Sequence, residues 1–408
     1  MKQTLLLLGE GLLVVCPALA QNFTNAGATV TVQPGAVLYV GAGGRTNQSG
    51  TLTNAGSVRV EGPLANPGTL DWGTGTLEVQ GDFANTGTLL PGTSPVTFSG
   101  AADPLLAPDG ATLYQVLVNK PTAGANTLRL AGDLTVSNQL VLTSGLVTTQ
   151  NGAAVYTLRL PDGAALAGEG PGRYVLGALE ITRNGVTGGA VDVGPGALLT
   201  AGTSSLGTVR ITRTAGLATP DVSFGQNFNN TAFKGIDRIW TVVPAAQPTA
   251  PVQPTLSWLA DNNNGISDFS QDRLWQQTAA GQPWAAVGPA ANASSRSLTM
   301  APTVLNRFTV SNATNPLPVT LLDFAAQAAG FAVYPSRVAS GQAATYLYTG
   351  PAEPAPLEVL DLLGRVVRTA PADGRAQGEV PLAGLATGAY LLRYTSATAR
   401  FGNRCVVE

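Results

Sequence analysis

Between residues 22 and 200 the chain is punctuated by Asn-x-Gly triplets, beginning at Asn25, Asn54, Asn66 and Asn85, set among short segments of alternating apolar and polar residues. This combination is the tightest constraint in the sequence. The segments include "ATVTV", "AVLYV", "SVRV", "GTLEVQG", "TLRLAG" and "YTLRL", each bounded by Gly, Asn or Pro. A period of two puts successive side chains on opposite faces, the pattern of strands and not of amphipathic helices. The triplets recur at intervals of 29, 12 and 19 residues, on the scale of about 20 residues that stacked coils use. One such coil cannot bury its own apolar face, so it needs neighbours. Gly takes the positive φ that corners often require and Asn tolerates it, while Asn side chains on coils about 4.8 Å apart can bond one another. The pattern predicts an all-β chain opening with a right-handed parallel β-helix-like solenoid over 21–200. The same triplets also fit hairpin turns of an antiparallel meander.

Composition narrows the chemistry. With 408 residues and 44% hydrophobic content the chain can bury more than one core. Charged residues are 11% of the total, under half the roughly 25% of ordinary domains, so the surface is neutral and polar. A net charge of −2 with scattered arginines gives no basic stripe, which excludes nucleic acid as a partner. Histidine is absent altogether, removing the commonest general base and metal ligand together. The lysines are Lys2, Lys120 and Lys234, none in a Ser-x-x-Lys motif. No catalytic, cofactor-binding or metal-ligating residue is therefore assigned, and no cofactor is expected. Carboxylate pairs for glycoside cleavage leave no local signature; Asp71, Glu78 and Asp82 read as solvated coil positions. In "DNNNGISD", residues 261–268, Asp261, Asn263 and Asp268 offer oxygens to a calcium ion. Gly265 falls where an EF-hand needs a donor and the closing Glu is missing, so an Asn-rich turn competes with that reading.

The first residues, "MKQTLLLLGEGLLVVCPALA", combine an early lysine, an apolar stretch and a small-x-small site at Ala18 and Ala20 before Gln21. This predicts a signal peptide over 1–20 and export. A lipid anchor at Cys16 is the rival, and bulky Val14 and Val15 oppose it. Cleavage leaves Cys405 alone, without an internal disulfide partner, as a small buried hydrophobe more than a reactive thiol. No other stretch is apolar and long enough to span a bilayer.

From 201 to 315 the texture changes, with Trp240, Trp258, Trp275 and Trp284 among longer loops. Regularly spaced, aromatic-rich strands predict a β-sandwich with tryptophan in its core, a sugar-stacking face being the alternative. The stretches "FKGIDRIWTVVP", "PTLSWLADNNNGI" and "LNRFTVSNATNPLPVTLLDF" resemble the β-sandwich module that follows repetitive strands in large Bacteroidetes surface proteins. A linker over 316–330 leads to the tail.

Residues 331–408 carry "FAVYPSRVASG", "LEVLDLLGRVVRTA" and "LAGLATGAYLLRYTSATAR". Together these resemble the C-terminal sorting domain of type IX secretion. The resemblance implies a small immunoglobulin-like β-sandwich recognised by the type IX translocon at the outer membrane. It places Tyr334 and Pro335 in the opening motif, Gly364 and Arg365 in a "D-x-x-G-R" turn, and Gly388 and Tyr390 in a "G-x-Y" strand start. The sequence departs from the family where Ser336-Arg337 follow Tyr334-Pro335 and where Glu408 ends the chain. The expected protein is a non-enzymatic secreted or cell-surface protein for adhesion or envelope architecture, with surface glycans as partners and no membrane-spanning segment. A polysaccharide lyase or hydrolase on the β-helix and a carbohydrate-binding module are the alternatives. Convergence of three or more acidic and Arg side chains of the first 200 residues in one groove favours the enzyme; two coplanar exposed tryptophans favour the binding module.

Overall fold

The computed structural model describes residues 4–6, 22–122, 126–152, 154–194, 196–216, 235–279, 284–312, 331–334, 337–348, 354–373, 377–395 and 400–408. The expected cleavage residues Ala18, Ala20 and Gln21, the 316–330 linker and Pro335 lie outside them. The chain is nearly all β and opens with a parallel β-solenoid of about seven turns. The antiparallel meander is thereby excluded for this region.

Three ladders of parallel strands build the early coils. The first stacks Phe23–Asn25 on Arg45–Asn47, Leu64–Asn66 and Phe83–Asn85. The second carries Thr29–Thr31, Thr51–Thr53, Thr69–Asp71 and Thr88–Leu90. The third runs from Val37–Val40 through Ser57–Val60, Thr76–Val79, Pro95–Phe98 and Gln115–Val118 to Gln139–Leu142. Alternation decides which side chains enter. Val40, Val60, Val79, Phe98, Val118 and Leu142 occupy one register column, each at most 3% exposed. Each such burial contributes about 1.5–3 kcal/mol, and only because a neighbouring coil lies above or below. On the outer side of the second ladder Thr29, Thr51, Thr69 and Thr88 form a threonine row in register.

The solenoid leaves through one long strand. Val175–Gly194 pairs in parallel with the coil strands Leu146–Thr148 and Thr157–Leu160, then runs antiparallel along Ala197–Ala215. The second strand of this hairpin pairs with Ile239–Pro244 and Gln253–Ser257. Strands Arg307–Asn312, Asp272–Gln277 and Ala285–Ala291 extend the antiparallel pairing. The expected boundary after residue 200 falls inside Ala197–Ala215. Val209, Ile211, Trp240, Leu256, Leu274 and Phe308 share its core.

The C-terminal residues form a three-stranded and a five-stranded sheet around a common core. Phe331 stacks between Tyr346 and Tyr394 with ring centroids 6.2 Å apart on each side. Leu392 and Tyr394 point inward, Leu391 points out, and Cys405 is a buried free thiol.

Candidate functional site

The opening triplets position a buried amide ladder. Asn25 Nδ2 donates to Asn47 Oδ1 at 2.8 Å, Asn47 to Asn66 at 2.8 Å, and Asn66 to Asn85 at 2.6 Å. The second N–H of each amide is also used, on the carbonyls of Ala28, Thr69, Thr88 and Gly87 in turn. All four side chains are at most 3% exposed, so every amide is buried with its bonds made. The ladder stops where the next coil brings Pro108 level with Asn85, whose Nδ2 reaches the Pro108 carbonyl at 3.5 Å. Of the four triplet asparagines, Asn25, Asn66 and Asn85 stack together. Asn54 serves another corner, bonding the Thr76 carbonyl at 3.0 Å and the Gly56 N–H at 3.1 Å. The missing rung is Asn47, which lies in Asn-Gln-Ser-Gly and escapes an Asn-x-Gly search; counting 19 residues back from Asn66 finds it.

Glycine acts here by size as well as by φ. Gly27 takes φ 103°, as a corner demands. At Gly87, by contrast, a Cβ would run into the Gly68 carbonyl of the coil before.

Charge concentrates where the solenoid meets the antiparallel strands. Glu169, 13% exposed at its side chain, accepts from Arg213 Nη2 at 2.7 Å and pairs with Arg238 Nη2 at 3.5 Å; both guanidiniums are at most 1% exposed. Arg213 also bonds the Val175 carbonyl, and Arg238 Nε bonds Asn262 Oδ1 at 2.7 Å. Burial, with Arg213 beside it, pulls the Arg238 guanidinium down to about 10. Burial, helped by Asp237 and Asp261, pushes the Tyr174 phenol up to about 12. The Asn-rich loop belongs to this joint. Asp261 Oδ2 accepts the Gly172 N–H at 2.7 Å, and Asn263 Oδ1 accepts from Arg296 Nε at 3.1 Å. Asp268 Oδ1 caps the Ser270 N–H at 2.9 Å. Those side chains tie the turn down and do not converge as a calcium loop.

A cleft of about 570 Å³ opens beside the joint, lined in part by Leu166, Glu169, Arg183, Asp192, Thr255 and Ser257. Three charged side chains of the first 200 residues therefore share one groove. Glu169 is engaged with the two arginines, and Arg183 bonds the carbonyls of Asp192, Pro161, Thr182 and Ala164. Asp192 Oδ1 accepts the Gly194 N–H. The other acidic candidates are also tied down: Asp71 Oδ1 accepts the Gly73 N–H, Glu78 accepts from Ser99 Oγ, and Asp82 accepts the Leu105 N–H. Trp240, Trp258, Trp275 and Trp284 are all buried, so none offers a face to a sugar ring.

In the tail, Asp361 organises the turn that holds Gly364 and Arg365. Its Oδ1 accepts the N–H groups of Leu363 and Arg365 at 2.9 and 3.0 Å, and its Oδ2 accepts Arg365 Nε at 2.7 Å. The Arg365 backbone N–H leads the influences holding the Asp361 carboxyl below its ordinary value. Gly364 takes φ 79°. This turn lifts Leu362 and Leu363 into solvent at 82% and 79% exposure. Gly388 opens the strand Gly388–Thr395, and Tyr390 donates to the Ala386 carbonyl at 2.8 Å. Tyr334 ends the strand Phe331–Tyr334. Among the described residues no group of three or more Cys, Asp or Glu is placed to hold a metal, and no helix is long and apolar enough to cross a membrane. The fold and joint define a parallel β-solenoid protein with antiparallel C-terminal parts. Comparison with protein-family models, curated proteins and solved structures gives no significant match.

Proposed function

We propose that the chain is a non-enzymatic secreted or cell-surface protein, exported by type IX secretion, that serves adhesion or envelope architecture. In this reading 201–315 is a β-sandwich, and 331–408 is an immunoglobulin-like sorting domain read by the translocon. The observation that carries the passive role is the use of buried polar groups as internal fasteners: the asparagine ladder and the Glu169–Arg213–Arg238 cluster bond to the protein itself. The neutral outer face, with its threonine row, suits hydroxyl-rich surface glycans. Expression with and without residues 331–408 in a type IX-competent host tests the export half. Surface display of the full chain and periplasmic retention of the shortened one are expected; equal display of both ends the sorting reading.

A second reading, a polysaccharide lyase or hydrolase, is favoured by the shared lining of Glu169, Arg183 and Asp192 in one cleft. Incubation of the purified chain with a panel of acidic and neutral polysaccharides, followed by reducing-end assay, separates the two. Product formation lost in Asp192→Asn supports the enzyme.

A further inference from the structure

Asp272 is 0% exposed, and neither of its carboxylate oxygens meets a hydrogen-bond donor. It opens the strand Asp272–Gln277 and shares a face with Leu274, which enters the main antiparallel core. Directly across the ladder stands Asn312, at a separation where paired side chains touch. Asn312 Nδ2 donates to the main-chain carbonyl of Asp268 at 2.7 Å. Burial pushes the Asp272 carboxyl up to about 7, and the Asp268 carboxylate adds to that push.

An orphaned buried carboxylate thus stands across the ladder from an amide that holds the Asp268 carbonyl, and the negative charge of Asp268 is close enough to act on it. A buried carboxylate in that state is strongly disfavoured, and either a proton or a cation relieves it. A proton serves one oxygen and introduces an O–H that needs an acceptor. A hard divalent ion serves both oxygens and takes neighbouring carbonyls as further ligands. The geometry points to a calcium site at Asp272, completed by Asp268 and the Asn312 amide, that pins the strand Asp272–Gln277 to the Asn-rich loop. Calcium fits better than magnesium because it accepts irregular oxygen sets. The site overlaps 261–268 only at Asp268, whose Oδ1 accepts the Ser270 N–H; Asp261 and Asn263 are engaged elsewhere. It is independent of the export and enzyme readings.

The test uses the full chain, stripped with a chelator and melted at pH 8 with calcium chloride or magnesium chloride alone. Trp258, 5.5 Å from Phe269 between ring centroids, reports on this region by fluorescence. Calcium at ten times its dissociation constant is expected to raise the melting temperature by about 3 °C. Asp272→Asn is expected to abolish the rise and, in chelator, to melt no lower than the unsubstituted chain, because an amide relieves the buried charge. Asp268→Asn is expected to weaken calcium binding several-fold while melting no lower in chelator, because it removes a like charge beside Asp272. An unsubstituted chain indifferent to calcium, a response to magnesium only, or an equal calcium shift in Asp272→Asn overturns the proposal. Should Asp272→Asn fail to fold, unchanged calcium affinity in Asp268→Asn overturns it instead.

Discussion

Asn47 donates its side-chain amide to Asn66 Oδ1 at 2.8 Å, 19 residues and one full coil further along the chain. The bond is buried, and both partners also hold their neighbours: Asn66 passes the same interaction to Asn85 at 2.6 Å. A polar ladder of this kind sets the register of coils whose apolar residues would tolerate a slip.

Breaking the ladder in its middle therefore costs more than breaking it at its end. Asn66→Ala orphans the Asn47 amide, the Asn85 oxygen and the Thr88 carbonyl, for an expected loss of about 3 kcal/mol. Asn25→Ala leaves one buried ladder group, the Asn47 oxygen, without its donor, while the Ala28 N–H and carbonyl it also releases are half-exposed and take water, so it is expected to lose about 1 kcal/mol. Urea titration followed by circular dichroism measures both, and equal losses would refute the cooperative ladder.

Glu169 is the counter-charge for two buried arginines. Glu169→Gln leaves both guanidiniums uncompensated and is expected to destabilise the joint by about 3–5 kcal/mol. The double change Glu169→Gln with Arg213→Met is expected to recover part of that loss. A double-mutant cycle on thermal melts reads the coupling, and strict additivity of the two changes argues against it.

Arg45 runs against its surroundings. It is 1% exposed in the column between Phe23 and Leu64, with no hydrogen bond to its guanidinium and only the Phe23 ring at 5.2 Å. A cation–π contact returns about 0.5–2 kcal/mol, less than the burial of an unpaired charge costs. Arg45→Leu continues the apolar column and is expected to stabilise by about 1–3 kcal/mol. Burial pulls the Arg45 guanidinium down to about 10 in the folded state. The unfolded chain thus holds this proton more tightly, so the penalty is complete below pH 10 and eases as pH rises above it. Stability should climb with pH there in the unsubstituted chain and not in Arg45→Leu. A lower melting temperature for Arg45→Leu would show the guanidinium to be a fastener after all.

Two glycines separate the roles of space and φ. Gly87 lacks room for a Cβ against the preceding coil, whereas Gly35 has nothing within 4 Å but a φ of +80°. Gly87→Ala is expected to cost about 3 kcal/mol and Gly35→Ala about 1 kcal/mol. Chemical denaturation of the two variants checks the order, and a reversed order would mean the coils part easily.

Much of the solenoid was legible from sequence because its determinants are local. Alternation of apolar residues, as in "SVRV" and "TLRL", dictates strands, and the Asn-x-Gly triplets mark corners whatever lies above or below. The contribution of Asn47 was hidden because its corner is one residue longer and so escapes an Asn-x-Gly search, although it lies at the same 19-residue spacing as Asn66 and Asn85. The charged joint was illegible for a stronger reason: Glu169, Arg213 and Arg238 lie 44 and 69 residues apart along the chain and carry no shared motif.

The residues alone determined an all-β chain, its turn chemistry and its histidine-free composition, since each follows from side-chain type and short-range periodicity. Only the tertiary structure decided that the early strands stack in parallel, which asparagine faces which, and that the buried Asp272 carboxyl is left without a hydrogen-bond partner. Those outcomes depend on which coil or strand comes to lie beside another, and that is settled by packing and by bonds between distant residues.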